Sequence, residues 1–289
     1  MKQITIISGK GGTGKTSITA ALASKMQNTI FTDCDVDAAD LYLLLTPEIK
    51  QSHSFPGGQT ARINQEKCTS CGVCHALCRF DAIQEKNGIY SIIDHSCEGC
   101  KLCMHACPEG AIDMLQSQSS EWYDSDTRFG PMIHARLGIG EDLSGKLVSK
   151  LREEAREKAK ELKADYILTD GPPGVGCPVI ASITGTDLGL VITEPTMSGL
   201  SDLKRVRELA MQFNLPLKVI INKSDINPEM AKKIEEYCSE HQVEVLAHIP
   251  YDKAFLDAMV QQMTLPEFAP EHELNKTLEI IYQSVIQPV

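Results

Sequence analysis

Ser8-Gly9-Lys10-Gly11-Gly12-Thr13-Gly14-Lys15-Thr16-Ser17 follows the apolar run at residues 4–7 and opens a helical pattern over residues 15–27. Glycines let consecutive backbone N–H groups turn toward phosphate oxygens, and a helix N-terminus adds the positive end of its dipole. Lys15 is expected on the β- and γ-phosphates and the Thr16 hydroxyl on magnesium, with Gly11, Gly12, Thr13, Gly14 and Ser17 completing the cradle. The competing reading is a glycine-rich turn that merely joins a strand to a helix. A strand before, a helix after and the full residue set argue against it.

Outward from this loop, short β-branched runs at residues 3–8, 29–32, 166–169, 188–193, 217–221 and 243–248 alternate with helical periods. The periods fall at residues 15–27, 144–162, 200–213, 228–241, 252–263 and 273–286. That alternation predicts an α/β fold with a doubly wound, mostly parallel sheet.

Residues 61–116 break the rhythm: they carry eight of the eleven cysteines, frequent Gly, Asp and Asn, and no long helical period. The expected organisation is a first part of one domain at 1–60, a small insert at 61–116 and the second part at 117–289. Pro56-Gly57-Gly58 and the polar QSQSSE from residue 116 would serve as joints. The insert repeats at a period of 29, so that Cys68, Cys71, Cys74 and Cys78 map onto Cys97, Cys100, Cys103 and Cys107, and Ala82-Ile83 onto Ala111-Ile112.

The spacing C-x2-C-x2-C-x3-C therefore occurs twice, with Pro108 after the second run. Short loops of this kind let three thiolates face one iron–sulfur cube while the fourth cysteine serves the other cube. The expected sets are Cys68, Cys71, Cys74 and Cys107 for one 4Fe-4S cluster and Cys97, Cys100, Cys103 and Cys78 for the other. Nearly the whole insert resembles a bacterial two-cluster 4Fe-4S ferredoxin, a small α+β fold. Arg79 departs from that pattern, standing where proline is usual. The alternative, two structural zinc sites, commonly uses ligand pairs separated along the chain, not two compact four-cysteine runs.

Composition narrows the function classes. The net charge is −11, so no global basic field exists to hold a nucleic-acid backbone or an anionic membrane. The N-terminal apolar run is too short for a signal-peptide core, which makes a cytoplasmic chain the expectation. An odd cysteine count is a poor disulfide framework, and in a reducing compartment clustered thiols hold metal more readily than they pair.

The loop KGGTGKT, with an extra lysine at its start, resembles the deviant Walker A loop of the superfamily that contains the septum-site ATPase MinD, the plasmid-partition ATPases, the Mrp-type iron–sulfur carriers and the nitrogenase iron protein. The resemblance implies ATP and Mg2+ as ligands and a nucleotide-sandwich dimer in which Lys10 reaches the partner's phosphates. It further implies that Asp35, in Thr32-Asp33-Cys34-Asp35, helps hold magnesium and orient the attacking water, and that Asp170, in TDGPPG, is the Walker B aspartate. Asn222, in Asn222-Lys223-Ser224-Asp225, would lie against the adenine ring, and Pro250-Tyr251-Asp252 would complete that wall. NKxD also occurs in GTP-binding proteins; the rest of the match is to ATPases.

Cys177 lies seven residues past Asp170, a spacing similar to that of a cluster ligand in the nitrogenase iron protein, but residues 122–175 hold no second cysteine. Cys177 is therefore expected to be a buried small residue. The C-terminal CxxC of the Mrp-type carriers is absent, and the tail ELNKTLEIIYQSVIQPV lacks the basic face of a membrane-targeting helix. The expected protein is an ATPase, a homodimer or a heterodimer with a paralogous subunit, that couples ATP to electron transfer through two clusters toward a redox or iron–sulfur partner protein. An iron–sulfur or metal-cofactor assembly carrier and a redox-sensing positioning ATPase are the alternatives. Stable membrane association and nucleic-acid binding are not expected.

Overall fold

The computed structural model describes residues 1–56, 58–116, 120–138 and 144–287. Gly57 and residues 117–119 of the expected joints lie outside these, as do residues 139–143. The strands in chain order are β1 (Lys2–Ser8), β2 (Thr29–Asp33), β3 (Glu48–Phe55), β4 (Gln59–Ile63), β5 (Ile83–Lys86), β6 (Ile89–Ile92), β7 (Ile112–Gln116), β8 (Ser120–Thr127), β9 (Gly130–Arg136), β10 (Tyr166–Pro173), β11 (Leu188–Thr193), β12 (Leu217–Asn222) and β13 (Glu244–Ile249). The helices are α1 (Lys15–Ala23), α2 (Leu41–Leu45), α3 (Val73–Leu77), α4 (Leu102–Ala106), α5 (Ser144–Leu162), α6 (Cys177–Ile183), α7 (Met197–Gln212), α8 (Pro228–Glu240), α9 (Ala254–Val260), α10 (Leu265–Phe268) and α11 (Leu274–Ile286). Two compact units divide the chain: Met1–Ser52 with Tyr123–Ala135 and Gly145–Val289, and His53–Trp122 with Arg136–Ser144. The smaller extends on both sides of residues 61–116.

The larger unit is built on a sheet of order β13-β12-β11-β1-β10-β2-β9-β8-β3, parallel from β13 through β9. Parallel strands covered on both faces read as continuous apolar runs, as β11 (LGLVIT) does, buried along its whole length. Side-chain alternation sends Ile220 to the core shared with α1 and α11, and Val219 and Ile221 to the core shared with α7 and α8. Helices thus cover both faces, the doubly wound arrangement expected from the sequence. Because β1 lies between β10 and β11, successive connections leave it in opposite directions, and the crevice at its carboxyl end is the topological switch point where such sheets bind ligands.

Several elements differ from expectation. Helix α7 starts at Met197, three residues early, because the Thr196 hydroxyl accepts the Gly199 N–H at 2.9 Å and caps it. Glu154 and Lys158 have the i,i+4 spacing of a surface pair on α5, but Glu154 pairs with Lys150 (2.6 Å) and Lys158 reaches Asp124 (2.7 Å). The glycine-rich stretch 128–146 has the composition of a coupling loop beside the nucleotide edge; residues 139–143 lie outside the described residues, α5 begins at Ser144, and residues 128–136 are the tight β8–β9 connection followed by β9. There Arg128 bonds Glu267, Thr46 Oγ1 (2.9 Å) and the Leu44 carbonyl (2.7 Å), tying the turn to α10 and to the end of α2. On α11, Leu274, Leu278, Ile281 and Val285 lie in the main core, so its apolar face is covered. Among the described residues no helix is long and apolar enough to cross a membrane.

His134 on β9 carries a measurable consequence of burial. It is held by Ser125 Oγ at 2.9 Å beside the Tyr123 ring, and burial lowers its pKa to about 4. The unfolded chain therefore takes up a proton near pH ~6.5 that the folded chain refuses, so stability falls as pH drops from ~6.5 toward ~4. The loss reaches roughly 3 kcal/mol at ~1.4 kcal/mol per pH unit. Urea midpoints at pH 7 and pH 4.5 test this: His134→Gln is expected to flatten the difference, and an unchanged difference would refute it.

The smaller unit holds two antiparallel pairs, β4–β7 and β5–β6, and the short helices α3 and α4. The 29-residue period reappears in three dimensions. Helix α3 repeats as α4, and the left-handed residues Ser70, Gly72 and Asp81 repeat as Gly99, Lys101 and Gly110. Gly99 is the position that only glycine fits, since a Cβ there would lie 2.1 Å from the Gln59 carbonyl oxygen.

Candidate functional site

The phosphate-type loop leaves β1 and enters α1 through Gly14 in the left-handed conformation at the helix N-cap. A Cβ at Gly14 would sit 2.3 Å from Asn222 Nδ2, which donates to the Thr13 carbonyl at 2.7 Å. The loop is thereby fixed from the end of β12. A cavity of ≈ 460 Å³ opens above it, within the range of small-molecule sites. Gly11, Gly12, Thr13, Gly14, Lys15, Thr16, Ser17, Asp35, Asn222, Pro250, Tyr251 and Asp252 all line it. The buried Thr13 hydroxyl has no hydrogen-bond partner among the described residues.

Lys10 and Asp170 do not line this cavity. The Lys10 ammonium turns away to pair with Glu194 at the end of β11, and donates to Ser198 Oγ at 3.1 Å. Lys223 shares Glu194 at 3.3 Å and donates to the Gly12 carbonyl at 2.8 Å. Partial burial opposes charge on Glu194, but hydrogen bonds from Lys10 and Lys223 outweigh it and hold the carboxyl below its ordinary value.

Asp170, fully buried on β10, accepts from Thr16 Oγ1 and from Thr19 Oγ1, each at 2.8 Å. Lys15 lies between Asp170 (3.1 Å) and Asp35 (3.2 Å). Burial works against its charge, yet Asp170, Asp35 and Asp33 around it raise its pKa. Burial also pushes Asp35 up, partly offset by Lys15. Asp33 stands well above the usual carboxylate range because burial and the neighbouring Asp170 both disfavour its charged form. Its oxygens accept the N–H groups of Asp35 (3.1 Å) and Leu41 (3.2 Å), which fixes the turn that presents Asp35.

Sequence reasoning assigned no role to Asp33, Thr19, Glu194, Lys223 or the apolar wall of Phe255, Leu256 and Met259. The helical spacing of Thr19, three residues beyond Thr16, was a usable signal for one of them. The Asp225 carboxylate of the NKxD segment accepts the Tyr251 N–H and so joins the segment after β12 to the segment after β13.

In the smaller unit, one cavity of ≈ 280 Å³ is lined by Cys78, Cys97, Cys100 and Cys103, and a slot of ≈ 20 Å³ by Cys68, Cys71, Cys74 and Cys107. Backbone N–H groups of Ala61 and Ala111 donate to Cys97 Sγ (3.4 Å) and Cys107 Sγ (3.3 Å). All eleven cysteines are free thiols. Among the described residues no group of three His, Cys, Asp or Glu side chains is arranged to hold a single metal ion. Of the other cysteines, Cys34 and Cys238 are buried and burial pushes both thiols up, Cys238 to about 11. Cys177, expected to be buried, is exposed at the first position of α6.

Comparison with known proteins gives the chain its relatives. Over 228 residues it is 39% identical to an uncharacterized protein of Methanocaldococcus jannaschii, spanning 78% of this chain and 79% of that one. A 52-residue stretch is 38% identical to Ferredoxin-1 of Rhodobacter capsulatus, 16% of this chain and 80% of the ferredoxin. The septum site-determining protein MinD complexed with Mg-ADP from Pyrococcus horikoshii shares the fold at a TM-score of 0.58 and 19% identity, over 98% of this chain and 95% of that one. The family model for the CobQ/CobB/MinD/ParA nucleotide binding domain matches residues 4–265. With that span matched around the loop and cavity described above, the chain belongs to the CobQ/CobB/MinD/ParA nucleotide-binding family.

Proposed function

We propose that the protein is an ATPase whose nucleotide-driven dimerisation governs electron transfer through two 4Fe-4S clusters carried by its smaller unit. The observation that carries this reading is the coexistence, in one chain, of the Lys15–Asp35–Asp170 constellation with two cavities each bordered by four cysteines, three from one repeat and the fourth from the other.

Lys15 and the loop N–H groups receive the triphosphate, while Asn222, Pro250, Tyr251 and Asp252 border the base. Asp225, the NKxD residue that would read guanine, does not line the cavity, which favours adenine. Thr16, Asp35 and Asp170 offer the hydroxyl and carboxylate oxygens that suit magnesium, which would neutralise phosphate charge. Asp35, presented by the turn that Asp33 ties, would orient the attacking water. Lys10 becomes catalytic only after leaving Glu194 for the partner's γ-phosphate, so closure of two subunits gates hydrolysis.

The donor chemistry of the smaller unit suits iron–sulfur cubes. Eight thiols, no disulfide and few buried apolar side chains leave a unit of this size in need of a staple. Cys78, Cys97, Cys100 and Cys103 would hold one cube and Cys68, Cys71, Cys74 and Cys107 the other, supplying one-electron storage.

Lys10→Ala is the test. The variant, purified anaerobically, is expected to bind ATP normally but to lose dimerisation with a non-hydrolysable analogue, and to hydrolyse ATP ~10³-fold more slowly, the scale of a charge supplied in trans. Delivery of electrons to an acceptor dye should lose its ATP dependence as well. Native hydrolysis in the variant would end the gating idea.

A further inference from the structure

The 29-residue repeat allows the two cysteine cavities to be compared position by position, since the residues that distinguish them have counterparts bordering both. Four pairs differ in charge. Arg79 corresponds to Pro108, Lys101 to Gly72, Glu98 to Thr69 and Phe80 to Glu109. The Cys78/Cys97/Cys100/Cys103 cavity therefore carries two cations and one anion, and the Cys68/Cys71/Cys74/Cys107 slot a single anion. The bonds from Ala61 N–H to Cys97 Sγ and from Ala111 N–H to Cys107 Sγ, one at each site and nearly equal in length, do not themselves separate the two sites.

We propose that this charge asymmetry orders the two clusters, so that an electron reaching the smaller unit settles at the Cys78/Cys97/Cys100/Cys103 site. The inference rests on the cluster reading above and adds a direction to it. One-electron reduction of a cube adds one negative charge. Arg79 and Lys101 outnumber Glu98 and stabilise that charge at one site, whereas Glu109 alone opposes it at the other. Pro108 has no backbone N–H, while Arg79 contributes one beside Cys78, a second local difference of the same sign. The four charged side chains are exposed, so water and salt weaken the effect without reversing it. Around the favoured site Leu77, Phe80 and Leu102 are about two-fifths exposed, and they border the cavity where the electron would reside.

The experiment is a reductive titration of the full chain under argon, with dithionite as one-electron donor and mediator dyes, followed by electron paramagnetic resonance after iron and sulfide have been counted. Two separate couples are expected. Arg79→Gln with Lys101→Gln should lower only the upper couple, Glu109→Gln should raise only the lower one, and high salt should narrow the gap. A single potential for both clusters, or a shift of the lower couple in the Arg79/Lys101 double variant, overturns the ordering. If that double variant loses a cluster, Glu109→Gln reads the same gap from the opposite site. Iron and sulfide near zero in the native chain would instead overturn the cluster reading, and the ordering with it.

Discussion

Lys15→Ala is expected to cost the protein both its nucleotide and several kcal/mol of stability. The ammonium is 6% exposed and lies 3.1 Å from Asp170 and 3.2 Å from Asp35. Removing one partner of a buried ion pair leaves the others uncompensated, at about 3–5 kcal/mol, which lowers Tm by roughly 6–20 °C in a chain of this size. Nucleotide affinity should fall at least ~100-fold, because hydrogen bonds to charged groups each contribute about 1.5–3 kcal/mol. The two losses are separable. Adding Asp35→Asn to Lys15→Ala removes a stranded carboxylate and should recover part of the Tm while recovering none of the ADP affinity measured by calorimetry. Native affinity in Lys15→Ala would mean that phosphates bind elsewhere.

Cys103→Ala is expected to halve the iron content, from about eight to about four per chain, and to open the smaller unit. Cys68, Cys78, Cys97, Cys103 and Cys107 pack against a core of only Ala61, Ile63, Cys74, Ile83 and Ile112. When a site does not exist in the unfolded chain, the free energy of metal binding is folding free energy, so a lost cube removes a structural member. Hydrogen exchange should rise through β4–β7 and α3–α4 while ATP binding persists, since the loop and its cavity belong to the larger unit. Cys238→Ala serves as control: its thiol is buried among Val206, Ile234 and their neighbours, and iron content should not change. A native iron count in Cys103→Ala would remove that residue from the ligand set.

The legible parts of the sequence share one property, that they are local. KGGTGKT between a strand and a helix, buried parallel strands read as apolar runs, and a period of 29 within one segment each depend on residues near one another in the chain. The misread parts depend on distant contacts. The segment from residue 128 has the glycines and polar groups of a coupling loop, and its anchor at Glu267 is not visible in the sequence. Cys177 was expected inside on composition alone, and the start of α6 leaves it exposed. The Glu154–Lys158 spacing was correct for a helix, but Asp124, thirty-four residues away, takes the lysine.

The chain alone determined its family, the doubly wound sheet and the phosphate-type loop, because strand alternation, helical period and glycine stereochemistry are written in neighbouring residues. Only the tertiary structure decided which carboxylates surround Lys15, that Glu194 pairs with Lys10, and that Asn222 braces the loop. Each of these contacts joins elements that meet only when the sheet brings β1, β2, β10, β11 and β12 together, and hydrogen bonds and charge pairs act over a few ångströms however many residues separate their partners.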